Sequence, residues 1–286
     1  MKKDIKLIEC PRDAMQGWKQ MISTETKIQY IQQLLQIGFD TIDFGSFVSP
    51  KAIPQMADTK DVLDRLDISG SDSKLLAIVA NERGAQEAAL SDKITYLGFP
   101  FSISETFQQR NTNSSITESF EKVKAIQQLC ETHGKSLVVY ISMGFGNSYG
   151  DEYNETIVYD WINKIVGLGV KIISLADTVG VATGELVFNI TSHVVNAFPD
   201  VEVGVHLHSN PYNFYEKLDA AYRAGCRRFD GAIKGIGGCP MAGDDLTGNM
   251  DTISIIQYLK SKSEPLNIDE SKLQSVVKSA ENIFVA

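Results

Sequence analysis

Short apolar runs rich in β-branched residues alternate along the chain with longer stretches whose apolar positions recur at helical spacing. The short runs fall at residues 5–10, 41–44, 74–80, 94–99, 136–143, 171–176, 201–208 and 228–233. Each reads as a strand bounded by glycine or polar turn residues. Between them the periodicity predicts helices over 24–37, 59–66, 84–90, 117–133, 155–168, 184–198, 212–224 and 250–261. In the first of these, Ile28, Ile31, Leu34 and Leu35 share one face, and Gly38 supplies a stop. Ser115 or Thr117, followed by Glu118, offers a capping box to the helix over 117–133. Residues 266–268 and 269–284 form a C-terminal extension, beginning at about residue 264.

Eight strand–helix units follow one another, with no proline inside a strand and no low-complexity linker. Repeated βα units imply a parallel sheet with helical crossovers. Eight of them fit a closed (β/α)8 TIM barrel, an α/β fold, with a short C-terminal helical extension. A single catalytic domain over residues 1–286 is the expected organisation. The first strand is not followed by GxGxxG, which weakens a dinucleotide-binding reading. In a barrel of this kind the C-terminal strand ends carry the chemistry.

Composition narrows the partners. The chain has 286 residues, 43% of them hydrophobic, enough for a sizeable core. Its formal net charge of −9 argues against nucleic acid as the main partner and means that an anionic substrate must meet local positive groups. No apolar run approaches the roughly 18 residues of a membrane span. The N-terminus passes directly into a strand pattern without the apolar core of a secretory signal. Four cysteines without CxxC spacing do not form a disulfide framework. A cytoplasmic setting is expected.

Polar residues cluster at the strand ends. Residues 201–209, VEVGVHLHS, place His206 and His208 on one face of a strand, about 7 Å apart along it. Such a pair can offer a divalent metal two imidazoles. Asp13, just past the first strand, can add a carboxylate while Arg12 points at developing negative charge. The second strand carries Asp43, the fifth ends at Ser142, and Asp177 and Thr178 follow the sixth. A glycine-rich run, 235–243, holds Cys239, a thiol placed to trade protons near neutrality beside a cation. Asn249 is either a helix cap or an amide-oxygen ligand. One carboxylate, two imidazoles and an amide oxygen suit Mg²⁺ or Mn²⁺, with Co²⁺ or Zn²⁺ as alternatives.

Together these residues resemble the 3-hydroxy-3-methylglutaryl-CoA lyases, part of a metal-dependent, DRE-type barrel superfamily that also holds the isopropylmalate and homocitrate synthases. The resemblance spans residues 5 to about 250. It is carried by Pro11-Arg12-Asp13 with Gln16, by Ser46-Phe47-Val48-Ser49-Pro50-Lys51, by Asp177-Thr178-Val179-Gly180, by His206-Leu207-His208 and by Gly237-Gly238-Cys239-Pro240. The last is the specific part, because the synthases lack the cysteine.

The resemblance implies cleavage of an acyl-CoA substrate, 3-hydroxy-3-methylglutaryl-CoA, to acetyl-CoA and acetoacetate, as in leucine degradation. It implies Asp13, His206, His208 and Asn249 as ligands of a divalent metal, Mg²⁺ or Mn²⁺. Arg12, Cys239 and His206 take the catalytic roles, and Gln16, Asp43, Ser142 and Thr178 line the substrate pocket. A homodimer is left open, and neither a membrane nor nucleic acid is expected as a partner. Some positions depart from the family pattern. The loop from Cys239 to Asn249 is one residue longer, Ile253 stands where the family places a glutamate, and Ser209-Asn210 replaces Asp-Thr. These departures motivate an alternative, a related lyase or condensing acyltransferase acting on another 3-hydroxyacyl-CoA or a 2-keto acid.

Overall fold

The computed structural model describes residues 4–238 and 248–285. Eight parallel strands close into a barrel in chain order. The first half runs β1 (Lys6–Glu9), α1 (Pro11–Gln16), α2 (Thr24–Leu34), β2 (Thr41–Ser46), α3 (Thr59–Arg65), β3 (Lys74–Ile78), α4 (Glu82–Ala89), β4 (Ile94–Ser102), α5 (Glu105–Thr112) and α6 (Ile116–His133). The second runs β5 (Ser136–Ser142), α7 (Glu155–Gly167), β6 (Ile172–Asp177), α8 (Gly184–Ala197), β7 (Glu202–Leu207), α9 (Phe214–Arg223), β8 (Arg228–Gly231), α10 (Thr252–Ser261) and α11 (Glu270–Ile283). The TIM barrel expected from the alternation is therefore the observed fold. Among the described residues, no helix is long and apolar enough to cross a membrane.

The period of two along each strand sorts side chains into two cores. Leu75, Ala77 and Val79 face the helices, as do Leu137, Val139 and Ile141, within the larger core. Leu76, Ile78, Tyr96, Val138, Tyr140 and Ile172 fill a second core inside the barrel. On β7, Val203, Val205 and Leu207 belong to the outer core. That parity leaves Gly204 and His206 facing inward.

Several boundaries differ from those expected, for local reasons. The helix over 117–133 begins at Ile116, because Ser115 and Glu118 complete the capping box at its start. Pro11 opens α1 directly after β1, where a missing N–H is no loss. β4 runs on to Ser102, so Pro100 does lie inside a strand. The carbonyl of Gly98 accepts from Val79, so residues of that parity turn their backbone toward β3. β3 has ended at Ile78, and nothing on that side asks Pro100 for a donor. α5, unexpected from periodicity, is capped by Ser104, whose hydroxyl accepts from Phe107 N. Residues 266–268 form no element, and α11 packs on α2.

The carboxyl of Glu9, fully buried at the end of β1, joins three elements. It accepts from Ile233 N at 3.0 Å and from the Thr252 hydroxyl at 2.5 Å. Burial pushes it up to about 8, and the two hydrogen bonds offset only part of that. The folded protein thus holds a proton that the unfolded chain, with its carboxyl near 4.5, releases. The contribution of Glu9 to stability is complete below 4.5 and is lost as pH rises toward about 8. Glu9→Gln, which mimics the protonated form, should remove this loss. In urea titrations the stability of the variant relative to wild type should grow across that window. A difference that stays constant with pH would contradict the assignment.

Candidate active site

The C-terminal mouth of the barrel holds a cavity of about 220 Å³. Arg12, Asp13 and Gln16 from α1 form one side, and His206 and His208 another. Ser142 and Thr178 also line it. Ala52, Ile53 and Pro54, together with Phe107 and Asn111, make the remaining wall largely apolar.

α1 sets the first side. Pro11 starts it immediately after β1, so Arg12 and Asp13 fall in its first turn above the barrel axis. A carboxylate there is favoured by the positive end of the helix dipole. Asp13 Oδ1 accepts from Arg12 Nη1 at 2.8 Å and from Gln16 Nε2 at 2.7 Å. Its Oδ2 accepts from Asn249 Nδ2 at 2.7 Å. Burial alone would raise the Asp13 carboxyl, but Arg12, the two imidazoles and the Asn249 hydrogen bond hold it down at about 2.

Asp43 takes a different place from the one expected. It is fully buried and, among the described residues, absent from the cavity wall. It grips Arg12 from behind, accepting from Nε at 3.2 and 3.1 Å and from Nη2. Burial raises its carboxyl to about 6 against the pull of Arg12. Gly45 lies beside a shift of register in β2, and a Cβ there would crowd Thr59 Cγ2 at 2.6 Å. Asp43 therefore aims Arg12 into the cavity.

The two imidazoles are oriented by different partners. His206 Nδ1 lies 3.2 Å from Asp230 Oδ2, and His208 Nδ1 lies 3.0 Å from the Thr178 carbonyl. Carboxylate and carbonyl only accept, so each Nδ1 carries a hydrogen, and in the neutral ring Nε2 is the bare nitrogen. His208 Nε2 is buried with no hydrogen-bond partner. Burial, followed by the neighbouring His206, pushes His208 down to about 4. For His206, burial is outweighed by its hydrogen bond to Asp230 and by the Asp13 and Asp230 charges, and its pKa is raised.

Ligand atoms of Asp13, His206 and His208 all lie within 4.8 Å of one another. Three residues distant in sequence thus converge with free or shareable lone pairs. Asp13 supplies a carboxylate within reach of both rings. His208 Nε2, an unpartnered buried imidazole nitrogen, is the donor a divalent ion takes. The residues present therefore fit a metal.

Asn249 stands beside this group with its amide nitrogen, not its oxygen, toward Asp13, because the same nitrogen donates to Ile236 O at 2.8 Å. The N-cap of α10 is Asp251, so Asn249 is not the cap. Cys239 lies outside the described residues.

Asp230 and Lys217 were not singled out from the sequence. Lys217 Nζ donates to Asp177 Oδ2 at 2.6 Å and to the His208 carbonyl at 2.8 Å, so this buried pair locks the end of β7 to β6. Asp230 was legible in principle, since it follows the strand-end spacing used for the histidines.

A family model described as HMGL-like matches residues 5–279. The chain belongs to the HMGL-like family. Among similar relatives, the mitochondrial hydroxymethylglutaryl-CoA lyase of Mus musculus is 31% identical, covering 95% of this chain and 83% of the relative. The hydroxymethylglutaryl-CoA lyase of Bacillus subtilis is 31% identical, covering 94% and 89%. The crystal structure of the B. subtilis HMG-CoA lyase superposes with a TM-score of 0.91 at 30% identity, over 98% of this chain and 93% of that one. An Acinetobacter baumannii HMG-CoA lyase, in complex with coenzyme A and 3-methylmalate, superposes with a TM-score of 0.90 at 29% identity, over 98% and 91%. This HMGL-like chain thus shares both fold and sequence with carbon–carbon lyases.

Replacing Asp230 by Asn should weaken Mn²⁺ binding to metal-stripped protein by about 10- to 100-fold, the usual effect of losing a partner that orients a ligating histidine. Calorimetry reads this directly. Unchanged affinity would mean that His206 is oriented by something else.

Proposed function

We propose that this chain is a divalent-metal-dependent lyase that cleaves 3-hydroxy-3-methylglutaryl-CoA to acetyl-CoA and acetoacetate. The observation that carries the reading is Arg12 beside the Asp13–His206–His208 cluster at the barrel mouth. Curated lyases about 31% identical over nearly the whole chain support it. So does the related A. baumannii lyase in complex with coenzyme A, which favours an acyl-CoA substrate here.

The reaction breaks the C2–C3 bond. The tertiary hydroxyl proton must leave, and the bond electrons move onto the thioester as an enolate, which is then protonated at C2 to give acetyl-CoA. Asp13, His206 and His208 would hold the ion, Mg²⁺ or Mn²⁺, with Asn249 as a fourth ligand once its amide turns. When bound, the metal supplies Lewis acidity that makes the tertiary alcohol easier to deprotonate.

Arg12 stabilises the enolate oxygen. Its guanidinium keeps its proton at any working pH, because Asp43 and Asp13 outweigh the effect of burial. Asp43 fixes its direction in advance, so little reorganisation is needed when charge develops. Gln16, Ser142 and Thr178 lie in the wall where substrate polar groups would meet them. Thr178 is already committed in part, since its hydroxyl accepts from Met143 N at 2.9 Å. Cys239 is assigned the proton transfer, and His206 takes part through the Nδ1–H that it shares with Asp230. A reducing, cytoplasmic compartment fits Cys10, Cys130 and Cys226, which are all unpaired thiols.

Metal-stripped protein should release acetoacetate from 3-hydroxy-3-methylglutaryl-CoA only after Mg²⁺ or Mn²⁺ is restored. Arg12→Met should lower kcat by about 100-fold or more while changing KM little, as expected for a contact made in the transition state. A metal-loaded protein that ignores this thioester yet cleaves another 3-hydroxyacyl-CoA would overturn the substrate assignment. An effect confined to KM would overturn the role of Arg12.

A further inference from the structure

One layer below the metal-ligand cluster, the barrel interior contains a buried cation that the chemistry above does not use. Register places Tyr140 beside Ser174, Ser174 beside Gly204 and Gly204 beside Arg228, a single layer across β5 to β8. The next layer up holds Ala176 beside His206. Asp230 lies two residues beyond Arg228 and so on the same inward face. Arg228 is wholly buried. Its side chain crosses the place of the missing side chain at Gly204, where a Cβ would lie 2.8 Å from Arg228 Cδ and 3.0 Å from Cγ.

Arg228 has one direct anionic partner, Glu202, which accepts from Nη1 at 3.0 Å and is also paired with Lys6. Its Nε and Nη2 have no partner among the described residues. The same is true of Ser174 Oγ, Tyr140 Oη and Asp230 Oδ1. Asp230 Oδ2 is the atom that accepts from His206, and the ring of Tyr140 stands edge-on to His206 at 5.8 Å. Donors on Arg228, an acceptor on Asp230 and two hydroxyls that do both are therefore buried without partners at neighbouring inward positions of β5, β6 and β8. Buried polar groups so placed are satisfied by ordered water with two to four partners.

We infer that Arg228 is a positioning residue for His206: through waters shared with Ser174 and Tyr140, its guanidinium holds Asp230, and Asp230 holds the ring whose Nε2 faces Asp13 and His208. Asp230 is the charge that acts most strongly on Arg228. The competing role is purely structural, with Arg228 present only to pair with Glu202. The inference rests on the metal-site reading above for its consequence, but its first step concerns the metal-free protein.

The test uses Arg228→Met, Arg228→Lys and Glu202→Gln, read by ¹⁵N NMR of the histidine rings in metal-free protein and by Mn²⁺ calorimetry. In wild type, His206 should show one tautomer, with the hydrogen on Nδ1. Arg228→Met should mix the tautomers and weaken Mn²⁺ binding about tenfold, while Arg228→Lys stays within about threefold of wild type. Glu202→Gln should change neither, although it removes the direct partner of Arg228. An Arg228→Met protein with wild-type ring signals and Mn²⁺ affinity would overturn the inference, whatever its melting temperature. So would a Glu202→Gln protein that reproduces the tautomer change. If Arg228→Met fails to fold, a high-resolution crystal structure of wild type decides: ordered water linking Arg228 to Asp230 supports the inference, and a dry interior overturns it. A wild type that binds no Mn²⁺ would contradict the metal-site reading instead, and the ring signals would still decide the role of Arg228.

Discussion

A buried carboxylate must be kept ionised at the mouth of the barrel, and much of the structure follows from that. Asp13 is nearly inaccessible to water, which by itself favours its neutral form. The Arg12 charge, the two imidazoles and the hydrogen bond from Asn249 reverse that preference. Arg12 is then itself a buried charge, and Asp43 balances it. Each compensation calls for another, and the chain of pairs ends at the Asp13 carboxylate beside His206 and the unpartnered Nε2 of His208. Such a site is poorly satisfied without a cation and well satisfied with one.

The barrel supplies the geometry for this. Parallel strands bury both faces, so every second residue points into the interior whether it is apolar or not. Lower in the barrel that interior is packed by Leu76, Ile78, Val138 and Ile172. Higher up the same parity presents Ser142, His206 and Asp230. The step from packing to chemistry occurs within single strands: on β5 between Val138 and Ser142, and on β7 between Gly204 and His206. The ties that hold the upper layer lie in the loops and helices, where Lys217 and Thr178 fix the backbone and ring of His208.

The parts of this arrangement visible in the sequence were those with a period. Strand and helix alternation gave the barrel, and the His206–His208 spacing gave two of the three residues that cluster at its mouth. α5 was missed because its apolar face is short and interrupted by Gln108, Gln109 and Arg110, while a Ser104 cap and packing against β4 supply what periodicity does not. The extension of β4 through Pro100 was missed because the rule against proline in strands applies only where a neighbour needs its donor. The family resemblance puts Asp43 in the pocket wall. The register shift at Gly45 and the pull of Arg12 place it behind the wall instead. Lys217 and Arg228 act through partners far away in the chain, and no local pattern announces such pairs.

The central claim is that Asp13, His206 and His208 grip one divalent ion between them. Anomalous diffraction from crystals soaked in Mn²⁺ measures this most directly. The expected result is one site per chain, with the ion held by the Asp13 carboxylate and both imidazoles. A Mn²⁺ peak elsewhere on the chain, with these three side chains left bonded only to one another, would contradict it.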